Sequence, residues 1–80
     1  MYYVYVIRSK KTGGLYKGMT SNLEQRLSEH NSGKTKSTKH GIPWEIIYFE
    51  KFETLEEARQ QELYFKTSAG RRYLKNKISL

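Results

Sequence analysis

An eight-residue segment near the start of the chain, YYVYVIRS, most restricts how this sequence can fold. It consists almost entirely of aromatic and β-branched residues, which is typical of a strand. Successive side chains of a strand point to opposite faces of the sheet. One face would carry Tyr3, Tyr5 and Ile7, and the other would carry Tyr2, Val4 and Val6. Because both faces are apolar, the segment is predicted to be a central strand that is covered on both sides.

The elements that follow are short and are separated by turn-forming residues. KKTGG predicts a turn, and LYKGM predicts a second strand that completes a hairpin. TSNLEQRLSEHN predicts a helix that begins at a capping box of Ser21 and Glu24 and ends before Gly33. Leu23 and Leu27 mark its buried side. The next segment, SGKTKSTKHGIP, is predicted to be a loop.

The second half of the chain adds one strand and two helices. WEIIYFEKF predicts a third strand in which Trp44, Ile46 and Tyr48 alternate with Ile47 and Phe49. A second helix is expected from a capping box at Thr54 and Glu57 to a point near Gly70. RRYLKNKISL predicts a short third helix, with Tyr73, Leu74 and Ile78 folding back on the core. The order ββαβα(α) predicts an α/β or α+β fold with a small, mainly antiparallel three-stranded sheet flanked by helices.

The chain is small and strongly basic. Its 80 residues are enough for one domain, taken as residues 1–80, and aromatic rings would fill much of a thin core. The formal net charge of +7 favours nucleic acid as partner, over an anionic membrane surface or a basic surface that binds nothing. The sequence contains no cysteine, no apolar run long enough to span a bilayer and no signal-peptide pattern. We therefore expect a cytoplasmic protein that does not bind a membrane.

The second predicted helix carries a carboxylate on its apolar side. Leu55, Ala58 and Phe65 define an apolar stripe by their spacing, and Glu62 lies near its middle. A buried charge without a partner is costly, so Glu62 is expected to have one. The partner could be Arg26 in a structural ion pair, or it could be a divalent metal or a substrate in a cleft. The sequence leaves both alternatives open.

Other polar side chains could meet near the same place. Arg26 and His30 are one helical turn apart, so they share a face of the first helix. Taken alone, Arg26 is more simply a surface cation, and His30 is more simply a half-buried, hydrogen-bonded histidine. Tyr5 and Tyr16 are likewise more simply core rings, but a hairpin would place them side by side. These tyrosines could therefore converge with Arg26 and Glu62 on one concave surface.

The chain resembles the GIY-YIG nuclease superfamily, especially its small stand-alone bacterial members, because five short motifs occur in the same order as in that family. These are similar to the N-terminal endonuclease domain of the excision-repair nuclease C subunit. YVY at Tyr3–Tyr5 and YKG at Tyr16–Gly18 stand at the two family motifs. Arg26, His30 and Glu62 stand where the family has its helix arginine, a residue one turn later and its metal-binding glutamate. Each motif is weak alone, but the five together cover nearly the whole chain.

Several positions depart from the family pattern or extend it. Tyr3 replaces the first glycine, and Lys17 replaces the isoleucine of the second motif. Lys17 would either face solvent on an edge strand or contact a phosphate. Met19 stands where some members have a lysine, and its role stays open. Gly18 would let the backbone pass close to the site without a clashing Cβ, and Asn76 is the candidate for the family's late asparagine.

The resemblance implies metal-dependent hydrolysis of a phosphodiester. Glu62 would bind one divalent cation, Mg²⁺ or Mn²⁺, and Tyr16 would be the general base toward the attacking water. Arg26 would bind the phosphate and favour the phenolate form of Tyr16. Tyr5 would orient the water or a phosphate oxygen. His30 would hydrogen-bond either Tyr16 or a phosphate.

Basic residues would hold the substrate. One of them, Lys17, lies within the second motif. The others lie outside the motifs and are Lys34, Lys36, Lys39, Lys66, Arg71, Arg72, Lys75 and Lys77. Phosphate contacts position a nucleic acid without reading its sequence. The implied function is a DNA endonuclease of low or structure-based specificity, in repair or recombination. The alternative is a non-catalytic nucleic-acid-binding or protein-interaction module. The chain is expected to be a monomer or a weak homodimer, with an unknown protein partner for targeting.

Overall fold

The sheet is built around β1 (Tyr2–Ser9), which lies between β2 (Leu15–Thr20) and β3 (Trp44–Phe52). Both neighbours run antiparallel to β1. This arrangement comes from a computed structural model that describes residues 1–78. Three helices flank the sheet, so the predicted α+β fold and its order of elements are confirmed.

The helices follow the predicted order along the chain. Helix α1 (Leu23–Asn31) follows β2, and a short 3₁₀ turn (Lys39–Gly41) lies in the loop before β3. Helices α2 (Leu55–Phe65) and α3 (Ser68–Ile78) follow β3. Within residues 1–78, none of the helices has the length and apolar character needed to cross a membrane.

Both faces of β1 are covered, as its sequence predicts. Val4 and Val6 are fully buried on one face, whereas Tyr5 and Ile7 are buried on the other. The first face, called the α2/α3 face, has a core of Val4, Val6, Ala58, Phe65 and Leu74. The second, called the α1 face, has a core of Tyr5, Ile7 and Trp44, against which the two leucines of α1 pack. The central strand therefore separates two distinct core clusters.

A β-bulge in β3 changes the predicted alternation of side chains. Val6 pairs with Tyr48 while Ile7 pairs with Ile46, so Ile47 is an extra residue in β3. Ile46 shares the α1 face with Trp44, as their alternation predicts, but Tyr48 packs on the α2/α3 face. The prediction that Ile46 and Tyr48 share a face is therefore wrong, because strict alternation assumes that no residue is inserted.

The start of α1 also differs from its prediction. The capping residue is Asn22 rather than Ser21, and its side-chain oxygen accepts a hydrogen bond from the backbone N–H of Gln25 at 3.0 Å. An N-cap side chain reaches the N–H two or three residues later, so the cap must directly precede the first helical residue. At the other end, Gly33 has a φ of 82° just beyond the helix, as predicted.

Helix α2 begins as predicted and ends earlier. Thr54 and Glu57 form the predicted capping box, in which each side chain bonds the backbone N–H of the other residue. The helix ends at Phe65 rather than near Gly70, because α3 already begins at Ser68. A Cβ on Gly70 would overlap the backbone at the end of α2, so glycine lets the two helices meet closely.

Helix α3 is longer than the predicted tail helix and packs on the α2/α3 face. Its inward residues are Tyr73, Leu74 and Ile78, as predicted. Residues 79 and 80 of the predicted tail lie outside the described residues. The predicted apolar stripe of α2 holds for Ala58 and Phe65 but not for Leu55, which is half exposed.

Candidate active site

His30 is fully buried on the α1 face, and both of its ring nitrogens are hydrogen-bonded. Nε2 is 2.9 Å from the hydroxyl of Tyr5, and Nδ1 is 2.8 Å from Oγ1 of Thr38. Thr38 lies in the loop before β3, where it is fully buried. Its carbonyl accepts a hydrogen bond from the indole N–H of Trp44 at 2.8 Å. We call Tyr5, His30 and Thr38 the buried network, which joins the central strand to α1 and the loop.

The neighbours of the buried network determine where its protons lie. Burial lowers the pKa of His30, and the positive charge of Arg26 lowers it further, so the imidazole is neutral at pH 7. We assign the proton of His30 to Nδ1, because the Thr38 hydroxyl can donate to the carbonyl of Thr35, 3.4 Å away, and then accepts from Nδ1–H. Nε2 is then an acceptor, and Tyr5 donates its hydroxyl proton to it. The network therefore holds Tyr5 as a neutral phenol.

Arg26 contacts this phenol from the solvent side. Its Nε donates a long hydrogen bond of 3.4 Å to the Tyr5 oxygen, and its Nη1 pairs with Glu29 at 2.9 Å. Burial raises the pKa of the Tyr5 hydroxyl, and the hydrogen bond and charge of Arg26 oppose that rise. The Arg26 side chain is 33% exposed, so its guanidinium is accessible to an anion.

Strand β2 brings two further predicted residues next to the buried network. Gly18 pairs with Tyr5 across the strands, and a Cβ there would overlap the Tyr5 hydroxyl and ring. A glycine is therefore required for the phenol to lie across β2. Tyr16 is half-buried, and its ring packs edge-on against His30 with ring centroids 5.1 Å apart.

The predicted hydrogen bond of His30 to Tyr16 or to a phosphate is wrong. The two ring nitrogens of His30 are occupied by Tyr5 and Thr38 instead. Full burial also separates the imidazole from a substrate phosphate. His30 therefore contacts the two tyrosines differently: it hydrogen-bonds Tyr5 and packs the side of its ring against Tyr16.

Glu62 lies on α2 and has a partner that the sequence did not indicate. Its side chain is 21% exposed and pairs with Nζ of Lys66, one turn later, at 3.4 Å. The alternative of a structural ion pair with Arg26 is wrong, because Arg26 pairs with Glu29 on its own helix. The negative charge of Glu62 also contributes to the raised pKa of Tyr5, which places the carboxylate within electrostatic range of the buried network.

The single carboxylate of Glu62 is compatible with a metal ion that takes most of its ligands from water and substrate, such as Mg²⁺. Among residues 1–78, no group of three or more His, Cys, Asp or Glu side chains is placed to hold a metal. Mg²⁺ is commonly bound by one or two carboxylates together with water and substrate phosphates, so the half-buried Glu62 fits such an ion. A divalent cation would compete for this carboxylate with the ammonium of Lys66, whose side chain is 54% exposed.

The predicted nucleic-acid-binding residues lie on the loop after α1, on β2 and on α3. Lys34, Lys36 and Lys39 are exposed on the loop between α1 and β3. Lys17 and Arg71 line the same cavity, and partial burial lowers the pKa of Lys17, which the positive charge of Arg71 lowers further. Arg72 and Asn76 are exposed on α3, and no hydrogen bond within residues 1–78 joins either of them to the buried network. A site role for Asn76 stays a prediction.

Thr38 was not predicted from the sequence. The loop SGKTKSTKHGIP has two serines and two threonines, and a loop lacks the periodicity that would separate a buried hydroxyl from exposed ones. The signal that points to Thr38 is indirect. A buried histidine needs a partner for each ring nitrogen, and the hydroxyls of the loop that follows α1 are near in sequence.

Residues 1–77 match the family described as the GIY-YIG catalytic domain. The chain belongs to the GIY-YIG family. Members of this family are generally endonucleases, so membership indicates a nuclease that binds nucleic acid.

Individual relatives of this GIY-YIG protein belong to the group named UPF0213. A UPF0213 protein of Bacillus licheniformis is 42% identical over 80 residues, which cover 95% of this chain and 81% of the relative. A UPF0213 protein of Bacillus pumilus is 48% identical over 67 residues, which cover 82% of this chain and 67% of the relative. The solution NMR structure of a UPF0213 protein of Bacillus halodurans has a TM-score of 0.56 and 30% identity, and the match covers 95% of this chain and 84% of that one.

Proposed function

We propose that this GIY-YIG protein is a divalent-metal-dependent endonuclease. It hydrolyses phosphodiester bonds in DNA with low or structure-based specificity, in repair or recombination. The observation that supports this proposal best is the buried network, which holds the phenol of Tyr5 beside the accessible guanidinium of Arg26. A polar network buried in so small a core is stable only when each member has a partner, and here each member does.

Arg26 is the proposed phosphate ligand. Its guanidinium is accessible and is oriented by Tyr5 and Glu29, so it is organised before substrate binds. Such a group stabilises the charge that develops on phosphate oxygens in the transition state. Tyr5 donates its only hydroxyl proton to His30, so its proposed role is to position Arg26 rather than to accept a proton or to bond a phosphate oxygen.

Tyr16 is the proposed general base, which accepts a proton from the attacking water. It is half-buried beside His30, which fixes its ring without bonding its hydroxyl. Glu62 is the proposed ligand of Mg²⁺ or Mn²⁺, an ion that would stabilise the negative charge on the leaving oxygen when bound. Lys66 neutralises Glu62 before that ion binds.

Cleavage of supercoiled plasmid DNA in Mg²⁺ or Mn²⁺ tests this proposal. The wild type should nick the plasmid, and Arg26→Ala should reduce the rate by roughly 10²–10³-fold, the usual loss for one transition-state donor. Glu62→Gln should abolish metal-dependent nicking while DNA binding in EDTA is retained. The matched controls are Glu56→Gln and Arg59→Ala, because both residues are exposed on α2. Both control variants should cut like the wild type.

The outcomes separate the enzyme from its alternative. If the wild type binds DNA but cuts no supercoiled, branched or single-stranded form, the protein is a non-catalytic binding module and the proposal is wrong. If RNA is cut and DNA is not, the substrate part of the proposal is wrong. Equal cutting by Glu62→Gln and wild type would exclude Glu62 as the metal ligand.

A further inference from the structure

A basic groove lies on the side of β2 opposite to Tyr16. Because successive residues of a strand face opposite sides, Lys17 points away from the face that carries Tyr16. A cavity of about 240 Å³ opens there between β2 and α3. Its lining consists of Leu15, Lys17, Arg71, Leu74 and Lys75. We call these five residues the β2–α3 groove, which has two leucines beside three cations.

The cations of this groove crowd one another. Partial burial lowers the pKa of Lys17, and the positive charges of Arg71 and Lys66 lower it further. Among residues 1–78, neither Lys17 nor Arg71 nor Lys75 takes part in an ion pair. The sequence from Lys66 to the C-terminus contains no acidic residue. Like charges held together without a counter-charge repel each other, and a bound anion would relieve that repulsion.

The groove also lies close to the candidate active site along the chain. Strand β2 is an edge strand, and its consecutive residues Tyr16 and Lys17 face the two sides of that edge. Lys66, whose positive charge helps to lower the pKa of Lys17, forms an ion pair with Glu62. A nucleic-acid strand that passes over the β2 edge could therefore contact the Tyr16 side and the groove together.

We propose that the β2–α3 groove binds one phosphate of the substrate strand outside the scissile position. Lys17, Arg71 and Lys75 surround this phosphate, while Leu15 and Leu74 contact the attached sugar or base. The proposal rests on the nucleic-acid binding that belongs to the proposed function. A nucleotide combines a charged phosphate with an apolar ring, which matches this lining, and the concave shape suits a single strand better than a flat membrane surface.

A double-mutant cycle on DNA binding tests the groove. Affinity for a fluorescent branched duplex is measured in EDTA at several salt concentrations for the full chain and for Lys17→Gln, Arg71→Gln and their combination. One shared phosphate contributes about 0.9 to the magnitude of the slope of log affinity against log salt. Either single variant should reduce that magnitude only slightly, because the remaining cations still neutralise the phosphate. The double variant should reduce it by more than the sum of the two single variants, up to about 0.9 in total.

The neighbouring residue Arg72 provides the matched comparison. Arg72 is exposed on α3 but does not line the groove, so its effect should be additive with that of Lys17→Gln. Lys51→Gln, on the opposite edge strand, should leave the slope unchanged.

Three results would overturn the groove proposal. One is a Lys17/Arg71 cycle that is as additive as the Lys17/Arg72 cycle, even if the wild type cuts DNA. Another is wild-type DNA binding that does not depend on salt. The third is loss of binding to phosphatidylserine vesicles in Arg71→Gln with DNA affinity unchanged, which would identify a membrane as the occupant. Non-additive binding without metal-dependent cutting would support the groove and contradict only the proposed nuclease activity.

Discussion

The two faces of the sheet use the same residue type, tyrosine, in opposite electrostatic surroundings. On the α1 face, Tyr5 donates to a neutral histidine and lies beside a cation, Arg26. On the α2/α3 face, Tyr48 and Tyr73 both donate to the carboxylate of Glu50, the latter at 2.6 Å, and Gln61 donates to its other oxygen at 2.8 Å.

This difference separates two phenols that bond a carboxylate from one that contacts a cation. Burial raises the pKa of Tyr48 first, and the bond to Glu50 raises it further. The bond to Glu50 is also the main cause of the raised pKa of Tyr73. A carboxylate acceptor thus holds both hydroxyls protonated, whereas Arg26 opposes the rise at Tyr5. A phenol near a cation is therefore found on the α1 face, where the proposed site lies.

The largest expected effect is a loss of stability when the core of the α2/α3 face is truncated. Phe65 is fully buried in the α2/α3 core, so Phe65→Ala should lower the free energy of unfolding by about 3–5 kcal/mol. Leu63→Ala is the control, because Leu63 is 57% exposed on the same helix. Urea unfolding measures both variants. Similar losses in the two would contradict the assignment of Phe65 to the main core.

Glu50→Gln should have the next largest effect. The new amide is uncharged, and its N–H₂ group cannot accept the hydrogen bond that a hydroxyl or Gln61 now donates there. The free energy of unfolding should therefore fall by roughly 1.5–3 kcal/mol. Two tyrosines should also titrate at lower pH, which the ultraviolet absorbance of phenolate measures. Glu53→Gln, at an exposed position, should change neither quantity. An unchanged tyrosine titration in Glu50→Gln would show that the carboxylate does not control these phenols.

Thr38→Val should perturb the α1 face without affecting the other. It removes the acceptor for Nδ1–H of His30, so stability should fall by about 1–2 kcal/mol and the imidazole proton should move to Nε2. The ¹⁵N chemical shifts of the ring report this tautomer directly. Thr38→Ser retains the hydroxyl and should show the wild-type shifts. A wild-type tautomer in Thr38→Val would contradict the proton positions of the buried network.

The smallest expected effect is a pH dependence of stability that comes from His30. Its pKa is lowered in the folded state, so below pH about 6.5 the unfolded chain binds more protons than the folded one. Stability should therefore be fully present above that pH and should fall as the pH drops toward the lowered value. His30→Gln should reduce this slope, whereas His40→Gln should not, because His40 is exposed. Equal slopes in wild type and His30→Gln would exclude His30 as the source.

Local signals predicted most of the fold but not its interruptions. The two apolar faces of YYVYVIRS predicted a central strand, and the Thr54 capping box predicted the start of α2. The bulge at Ile47 was missed because one inserted residue leaves no mark on an apolar run. The start of α1 was misplaced by one residue because Ser21 and Asn22 are both good caps.

Family motifs predicted the members of the candidate site but not their partners. The sequence identified Tyr5, Tyr16, Arg26, His30 and Glu62 as candidates. It did not indicate that His30 would bond Tyr5 rather than Tyr16, or that Glu62 would pair with Lys66. A hydrogen bond requires a distance of about 3 Å, and spacing along a chain does not determine such distances between separate elements.

By itself, the sequence determined the order of strands and helices, the excess of positive charge and the motifs that indicate the family. These properties depend on neighbours in the chain, on residue counts or on short patterns. The tertiary structure decided that Thr38 completes the buried network and that Lys17 and Arg71 line one groove. Both contacts join residues from separate elements, because the sheet and the loop bring them together only when the chain is folded. Their tests are the tautomer of His30 and the binding cycle of Lys17 and Arg71.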